Sequence, residues 1–235
     1  MSRYFDNQTG GQLTSVKDLI RPIPGVRSIS LLRQRSAFEG SAQYWESRYV
    51  GGGTSGGGSY GESSRAKADF LNKFVHDHDI QSLIEFGCGD GNQLSLARYP
   101  RYVGLDVSPS AIRLCKDRFS GDQTKSFFLY KGDCFVDYAH LFSSDLALSL
   151  DVVYHLTEDS VFETYLNHLF AAGRQYVIVY STNEERRGTA PHVRHRNFSS
   201  WVEERFPHWK LTQITGGLVS EARQPEFFIY KQRSM

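Results

Sequence analysis

The chain has 235 residues, enough for one α/β domain with a complete hydrophobic core and a modest extension. Its 27 Lys and Arg against 26 Asp and Glu leave a formal net charge of +1, which provides no overall positive field for a nucleic-acid partner. Three cysteines without a CxxC pair favour a reducing compartment, so we expect a cytoplasmic protein without a disulfide framework or structural zinc. No apolar run reaches the length of a membrane span, and the polar N-terminus is not typical of a signal peptide.

Residues 1–61 are predicted to be organised differently from the rest of the chain. Two prolines, Pro22 and Pro24, interrupt any long helix in residues 1–40. This part is predicted to be an arm that is either disordered or packed against a partner subunit, which would make the protein a homodimer. A short helix is predicted over Ser41–Tyr49. The glycine-rich segment 51–61 is either a flexible linker or a mobile lid beside the glycine turn that follows it.

From residue 62 to residue 235 the pattern predicts one domain of alternating strands and helices. Helical spacing of apolar residues predicts helices over Glu62–His78, Asp90–Arg98, Ser108–Phe119, Glu158–Phe170 and Asn197–Phe206. Short apolar runs predict strands over Gln81–Phe86, Tyr102–Val107, Ser126–Lys131, Asp145–Asp151, Tyr176–Ser181, Trp209–Thr215 and Phe227–Lys231. This alternation is typical of a mostly parallel, doubly wound α/β sheet, and the short loop between the last two strands makes one of them antiparallel.

A glycine turn follows the first predicted strand, with the sequence Glu85-Phe86-Gly87-Cys88-Gly89-Asp90-Gly91. Such a turn places a ligand at the carboxyl ends of the strands. Asn92 stands where a dinucleotide fingerprint has its third glycine. Two carboxylates, Glu85 and Asp90, would repel a pyrophosphate, whereas they would favour the sulfonium and ammonium groups of S-adenosylmethionine. The turn therefore predicts a site for S-adenosylmethionine.

Two more carboxylates follow the next two predicted strands. Asp106 lies 19 residues after Gly87 and can accept hydrogen bonds from both hydroxyls of a ribose, as it would also do for a dinucleotide. Asp133, in Gly132-Asp133-Cys134, either accepts from the adenine amino group or caps a turn.

These motifs, together with Leu148-Ser149-Leu150-Asp151, resemble the first four motifs of the class I S-adenosylmethionine-dependent methyltransferases over about residues 62–232. The resemblance implies a Rossmann-like sheet of seven strands in the order 3-2-1-4-5-7-6, with strand seven antiparallel. It also implies contacts to the cofactor from Glu85, Gly87, Gly89, Asp106, Val107, Asp133 and Cys134.

The upstream segment Tyr44-Trp45-x-x-Arg48-Tyr49, with the glycine-rich stretch and Ser59-Tyr60-Gly61, is similar to a smaller group of bacterial methyltransferases. These often act on sugars in polysaccharide tailoring, and one type methylates mannoside hydroxyls. The similarity implies O-methylation of a saccharide, an oligosaccharide or a similar small polar acceptor. It also implies that Tyr44 and Arg48 reach the carboxylate of the cofactor, Arg48 through a charge-assisted contact.

A hydroxyl acceptor needs a general base or a metal to remove its proton. His155, just after the fourth strand, is the candidate base, with Asp151 to orient the imidazole and Tyr154 to close the pocket. A packing role for His155 is the alternative. A second possibility is Mg²⁺ held by Asp151 with Asn183 or Glu184, since this ion prefers oxygen ligands.

The loop from Arg186 to Arg196 contains four arginines and two histidines and begins beside the predicted mouth of the site. Arg194, His195 and Arg196 are candidates for binding an anionic or polyhydroxyl acceptor, although pairing with nearby glutamates in a solvated loop explains the pattern equally well. Two other functions stay open. One is methylation of RNA or protein, favoured by the arginines and opposed by the net charge. The other is a non-catalytic cofactor-binding scaffold.

Overall fold

A computed structural model describes residues 38–216 and 224–233 of the chain. The predicted N-terminal arm lies outside the described residues except for residues 38–40. Its order and its role in a homodimer therefore stay predictions.

The strands of the described chain form a seven-stranded sheet in the order β3-β2-β1-β4-β5-β9-β8 and a separate two-stranded ribbon, β6-β7. Neighbouring strands from β3 to β5 pair in parallel, and β9 runs antiparallel to both β5 and β8. This confirms the predicted order with its reversed last strand. The strands are β1 Leu83–Phe86, β2 Tyr102–Asp106, β3 Lys125–Leu129, β4 Ser144–Leu150, β5 Gly173–Ser181, β6 Arg186–Arg187, β7 Arg194–His195, β8 Trp209–Gly216 and β9 Glu226–Gln232.

Five α-helices of the described chain accompany the strands: α1 Ser41–Val50, α2 Gly61–Asp77, α3 Pro109–Arg118, α4 Asp159–Ala172 and α5 Phe198–Arg205. Side-chain caps begin two of them, because Ser108 accepts from the Ala111 amide and Asn197 from the Ser200 amide. Among the described residues, no helix has both the length and the apolar character that a membrane span requires.

The segment Asp90–Arg98 was predicted as a helix, and this prediction is wrong. Only Leu94–Leu96 forms a single 3₁₀ turn. Gly91 has φ 74°, a left-handed conformation that a helix does not contain. Neighbouring polar side chains also bind the preceding segment, since the Asn92 and Gln93 amides donate to backbone carbonyls at Ser59 (2.7 Å) and Ser64 (3.0 Å).

The sheet carries one hydrophobic cluster on each face. Helices α4 and α5 cover the face that includes Ala147 and Val177, while α2 and α3 cover the face that includes Leu146 and Ile178. Because successive residues of a strand point to opposite faces, the continuously buried stretches Leu146–Leu150 of β4 and Tyr176–Ser181 of β5 are covered on both faces. The molecule has three layers, and the carboxyl ends of β1, β2 and β4 meet at one edge of the middle layer.

Tyr165 of α4 fixes the exits of two central strands. Its buried hydroxyl lies 2.9 Å from the Phe86 carbonyl, which it can donate to, and 2.7 Å from the Ser149 hydroxyl. Phe86 ends β1 immediately before the glycine turn, and Ser149 lies near the end of β4. The Tyr165 side chain therefore connects the ends of β1 and β4 at the edge of the sheet where the site lies.

We expect Tyr165→Phe to lower the free energy of unfolding by about 1–3 kcal/mol, because it leaves a buried hydroxyl and a buried carbonyl without this partner. Urea unfolding followed by circular dichroism measures the change. The matched control is Tyr138→Phe, which removes a hydroxyl from a ring that is 92% exposed and is expected to change stability by less than about 0.5 kcal/mol. Equal effects of the two substitutions would contradict the role given to Tyr165.

Candidate functional site

A cavity of about 340 Å³ opens at the carboxyl edge of the sheet. Open α/β sheets bind their ligands at this edge. Its wall combines the glycine turn, the exits of β2 and β4, helix α1 and the start of α4. The lining residues that the site chemistry uses are Glu39, Trp45, Tyr49, Glu85, Gly87, Gly89, Gln93, Val107, Tyr130, Asp151, His155 and Glu158.

The glycine turn needs its glycines for two reasons. Gly87, Gly89 and Gly91 all have positive φ, at 84°, 58° and 74°. In addition, a Cβ at Gly87 would lie 2.4 Å from Val152 Cγ2, and a Cβ at Gly89 would lie 2.3 Å from Ser55 Oγ. The glycines therefore let the turn pack closely between the β4 exit and the glycine-rich segment, and Gly87 and Gly89 also line the cavity.

Asp106 ties the glycine turn to the end of β2. Its two carboxylate oxygens accept hydrogen bonds from the Gly89 and Ser108 amides, each at 2.9 Å. Each oxygen keeps a second lone pair that could accept from a ligand hydroxyl. Burial raises the pKa of Asp106 to about 6, although the backbone hydrogen bonds oppose this.

Glu85 lies deeper, at the base of the turn. Burial raises its pKa to about 7, against the effect of a hydrogen bond that Tyr102 donates to it at 2.6 Å. A cationic ligand would stabilise the ionised forms of Glu85 and Asp106. Such a ligand would therefore bind more tightly as the pH rises through 6 to 7.

The third carboxylate of this region, Asp90, binds the glycine-rich segment. It accepts from the Ser55 amide at 3.0 Å and from the Tyr60 hydroxyl at 2.7 Å, and its own amide donates to Ser55 Oγ at 2.9 Å. Burial favours the neutral acid, but these hydrogen bonds outweigh it and hold the pKa of Asp90 below its usual value. Residues 55–60 thus lie against the glycine turn, as the lid alternative requires.

Helix α1 presents Trp45 and Tyr49 to the cavity. Tyr44 and Arg48 lie on the adjoining helix face, since residues four apart share a face. Tyr44 stacks on His192 with ring centroids 4.1 Å apart, and Arg48 Nε donates to the Thr54 carbonyl at 2.5 Å. Neither side chain lines the cavity, and the contact of Tyr44 and Arg48 with the cofactor carboxylate stays a prediction.

The loop after β3 carries Asp133 and Cys134, whose contacts with the cofactor stay predictions. Asp133 and Cys134 are exposed and do not belong to the cavity wall. Val107, as predicted, and Tyr130, which sequence reasoning missed, line the cavity on that side. Tyr130 sits one position beyond β3, where only its burial distinguishes it from other aromatic residues.

His155 ends a 3₁₀ turn, Val153–His155, that directly follows β4. Its Nδ1 lies 2.9 Å from the His192 carbonyl oxygen, so Nδ1 carries the proton and Nε2 holds the free lone pair. Within the described residues, Nε2 has no hydrogen-bond partner. Burial lowers the pKa of His155 to about 4, although the bond to the carbonyl opposes this. The imidazole is neutral at physiological pH.

Asp151 was predicted to orient this imidazole, and the structure assigns that contact to His192 instead. Asp151 has φ 59°. One of its carboxylate oxygens forms an ion pair with Lys67, and the other accepts from the Tyr154 hydroxyl at 2.8 Å. Burial, together with the Asp151 charge, holds the pKa of Tyr154 well above its usual value, so this phenol stays protonated. Tyr154 lies behind the cavity wall and supports the turn.

Lys67 is the main residue that sequence reasoning missed. It is 0% exposed, and its ammonium also lies 5.1 Å from the centre of the Tyr180 ring. The signal was present in the helical pattern, since Lys67 falls on the same face of α2 as the apolar Leu71 and Phe74. A lysine on a buried face requires a buried acid, which is Asp151.

The predicted Mg²⁺ ligands do not form a metal site. Asn183 exchanges hydrogen bonds with Ser199, at 2.7 and 3.1 Å, and Glu184 pairs with Arg186 at 2.9 Å. Asp151 is neutralised by Lys67. The part of the chain that the structure describes contains no cluster of three or more His, Cys, Asp or Glu side chains that could hold a metal ion. These donors do not fit Mg²⁺.

The Arg/His loop contributes to the site differently from the prediction. Arg196 is buried and donates to Asp159 (2.5 Å) and to the Thr157 carbonyl (2.9 Å), and Arg194 also pairs with Asp159 (2.9 Å). His195 Nδ1 lies 2.6 Å from the Thr182 hydroxyl. These three residues fasten the loop to its surroundings, and their contact with an acceptor stays a prediction. The loop reaches the site through His192, which sequence reasoning missed.

Comparison with known proteins agrees with this geometry. Residues 84–171 match the family model described as "Methyltransferase domain". The chain is 24% identical over 178 residues to a small RNA 2′-O-methyltransferase of Arabidopsis thaliana, a match that covers 62% of this chain and 19% of that protein. The chain thus spans about a fifth of the length of this relative.

Solved structures resemble the chain at the level of the fold. The methyltransferase domain of bacterial CtHen1-C has a TM-score of 0.58 and 23% identity, with 72% of this chain and 98% of that one covered. CalS10, an amino pentose methyltransferase from Micromonospora echinaspora with bound S-adenosylmethionine, has a TM-score of 0.57 and 13% identity, with 74% and 93% covered. The family match shows a methyltransferase domain over residues 84–171, and the strand order and the glycine turn around it are those of the class I S-adenosylmethionine-dependent fold.

Proposed function

We propose that the enzyme methylates a hydroxyl group of a saccharide and that His155 accepts the hydroxyl proton. The observation that carries this proposal is the neutral His155 in the cavity wall, with its Nε2 lone pair free among the described residues. Amines and thiols reach a nucleophilic form more readily near pH 7, whereas a hydroxyl needs such a group to take its proton.

The cofactor supplies an electrophilic methyl group when it is bound. Gly87 and Gly89 provide open backbone for its methionine part, Glu85 a carboxylate for its ammonium, Asp106 acceptors for its ribose and Val107 an apolar wall for its base. Holding both reactants in one orientation is the main contribution of the protein to methyl transfer.

His155 is suited to a late proton transfer. Its low pKa makes it a weak base but keeps it neutral, with Nε2 ready to accept a proton at any pH above about 4. A hydroxyl oxygen that gains a methyl group becomes strongly acidic, so even a weak base removes its proton once the new bond forms. The His192 carbonyl fixes the tautomer, and the Asp151–Lys67 pair holds the turn that carries the imidazole.

The comparisons support a group borne by a sugar as the acceptor. By their printed names, one relative is a small RNA 2′-O-methyltransferase and one structural neighbour is an amino pentose methyltransferase. The likeness to the RNA enzymes favours methylation of an RNA ribose hydroxyl as a second candidate. A cytoplasmic location and a homodimer through the N-terminal arm remain parts of the proposal.

We expect His155→Ala to lower kcat by about 10²–10⁴-fold, since this is the usual contribution of a general base. The affinity for S-adenosylhomocysteine, measured by calorimetry, should stay within about twofold, because His155 accepts a proton and does not anchor the cofactor. His76→Ala, at a side chain that is 89% exposed, is the control and should match the wild type.

The pH dependence provides a second measure of the same group. The neutral form of a histidine with a lowered pKa persists to lower pH, so kcat with both substrates saturating should fall only near pH 4 to 5. An acidic limb near the usual histidine value of about 6.5, or normal turnover by His155→Ala, would remove His155 from this role.

Asp106→Asn should weaken cofactor binding by about 10–100-fold, since it replaces a charged acceptor of ribose hydroxyls with a neutral one. Calorimetric titration with S-adenosylhomocysteine measures this. Asp117→Asn makes the same chemical change at an exposed position of α3 and should bind as the wild type does. Wild-type affinity in Asp106→Asn would contradict the placement of the cofactor.

Lys67→Met should destabilise the protein by about 3–5 kcal/mol, because it leaves Asp151 without its buried counter-charge. The double variant Lys67→Met/Asp151→Asn should recover a large part of this loss, since it removes the unpaired charge. Urea unfolding of the two single variants and the double variant gives the coupling energy. Additive effects would show that the pair does not stabilise the turn.

A further inference from the structure

The cavity wall has an unusual charge composition. Four of its residues are carboxylates, Glu39, Glu85, Asp151 and Glu158, and the described residues that line it include neither Lys nor Arg. Sites that bind phosphate groups use Arg, Lys or several free backbone amides to receive the negative charge.

The cations nearest to this wall have other partners. Lys67, behind the wall, neutralises Asp151. Arg48 donates to the Thr54 carbonyl, and Arg194 and Arg196 both bind Asp159. These guanidinium groups hold the glycine-rich segment and the Arg/His loop and do not line the cavity, although Arg48, bound to a neutral carbonyl, keeps its positive charge.

Two of the four carboxylates keep their negative charge for a ligand to meet. Glu39 is exposed at the rim. Glu158 is partly buried, but hydrogen bonds from the Ser41 amide and hydroxyl outweigh this burial and hold its pKa below the usual value. Glu85 adds a third, partly ionised group. The cofactor, with an ammonium, a sulfonium and a carboxylate, contributes a net charge of only about +1.

The hydrogen-bonding groups of the cavity wall give a second, independent indication that it does not favour an anionic ligand. Gln93 lines the cavity and is only 8% exposed, and its side-chain oxygen has no hydrogen-bond partner within the described chain. His155 Nε2 is also an acceptor without a partner there. The His155 acceptor therefore suits a ligand that carries donors, whereas the Gln93 oxygen is shielded from solvent in this structure. Hydroxyl and ammonium groups are donors, whereas ionised phosphates and carboxylates only accept.

We propose that the acceptor is a saccharide without phosphate or carboxylate groups, either uncharged or bearing an amine. The inference rests on the proposed function and narrows it. It weighs against RNA, which brings one negative charge with each nucleotide into a wall that already holds surplus negative charge. The like charges would be separated by a poorly screened, partly buried space.

The test compares acceptors that differ only in charge. Neutral methyl hexosides and pentosides, their terminal phosphates, the matching uronic acids, the 2-amino sugars and a short single-stranded RNA are each offered with S-adenosylmethionine. Release of S-adenosylhomocysteine gives kcat/KM, and calorimetry with the S-adenosylhomocysteine-loaded protein gives the affinity for each acceptor. We expect kcat/KM to be at least about tenfold higher for a neutral or amino sugar than for its phosphate or uronic acid. This difference in kcat/KM should become smaller as the salt concentration rises.

Two variants test whether the carboxylates of the cavity wall cause the preference for acceptors without negative charge. Glu39→Gln/Glu158→Gln should reduce the discrimination against phosphorylated acceptors several-fold, since it removes two negative charges. Glu163→Gln removes one from the exposed surface of α4 and should leave the discrimination unchanged.

The outcomes separate this inference from the proposed function. Equal use of neutral and phosphorylated sugars, or a preference for RNA, would overturn the inference and leave hydroxyl methylation in place. Methyl transfer only to amine or thiol groups, or neither turnover nor binding of any sugar, would overturn the proposed function itself.

Discussion

The backbone of the glycine turn can lie where it does only because three of its residues lack a side chain. A Cβ at Gly87 would collide with Val152, and one at Gly89 would collide with Ser55. Val152 belongs to the turn after β4, and Ser55 belongs to the glycine-rich segment. The glycine turn, the turn that carries His155 and the glycine-rich segment therefore meet at this one place, and Asp106 fixes it to the sheet through the Gly89 amide.

Burial near this turn produces opposite effects on two kinds of group. It raises the pKa of Glu85 to about 7 and lowers that of His155 to about 4. Both shifts follow from the cost of holding a charge away from water. A cationic cofactor reverses the first effect and reinforces the second, so the site is suited to a positive ligand beside a neutral imidazole. Asp151, which pairs with Lys67, carries a charge that favours a protonated His155, but the effect of burial on His155 is larger.

Sequence could predict the features that depend on the local pattern of apolar residues and on the position of a motif after a strand. Hydrophobic periodicity gave the seven strands, and the resemblance to the class I methyltransferases implied their order. Motif spacing placed the glycine turn, Asp106 and His155 at one edge of the sheet. The failures concern the choice of partner. The segment Asp90–Arg98 has a helical composition, but Asn92 and Gln93 bind residues that precede them by some thirty positions.

The same reason explains the other differences. Arginines in the loop before α5 suggested ligand binding, yet Arg194 and Arg196 bind Asp159 at the start of α4. A sequence pattern shows which kind of side chain stands at a position. It does not show which distant residue that side chain will bind. Lys67 could have been identified as buried from its helix face, but its pairing with Asp151 depends on the packed structure.

The central claim is that His155 presents a neutral imidazole, with its lone pair on Nε2, to the acceptor. The most direct measurement is ¹⁵N NMR of the His155 side chain in the complex with S-adenosylhomocysteine, recorded from pH 8 to pH 4. The account predicts the Nδ1–H tautomer throughout, with protonation beginning only as the pH approaches about 4. The Nε2–H tautomer, or protonation centred near the usual value of about 6.5, would contradict it.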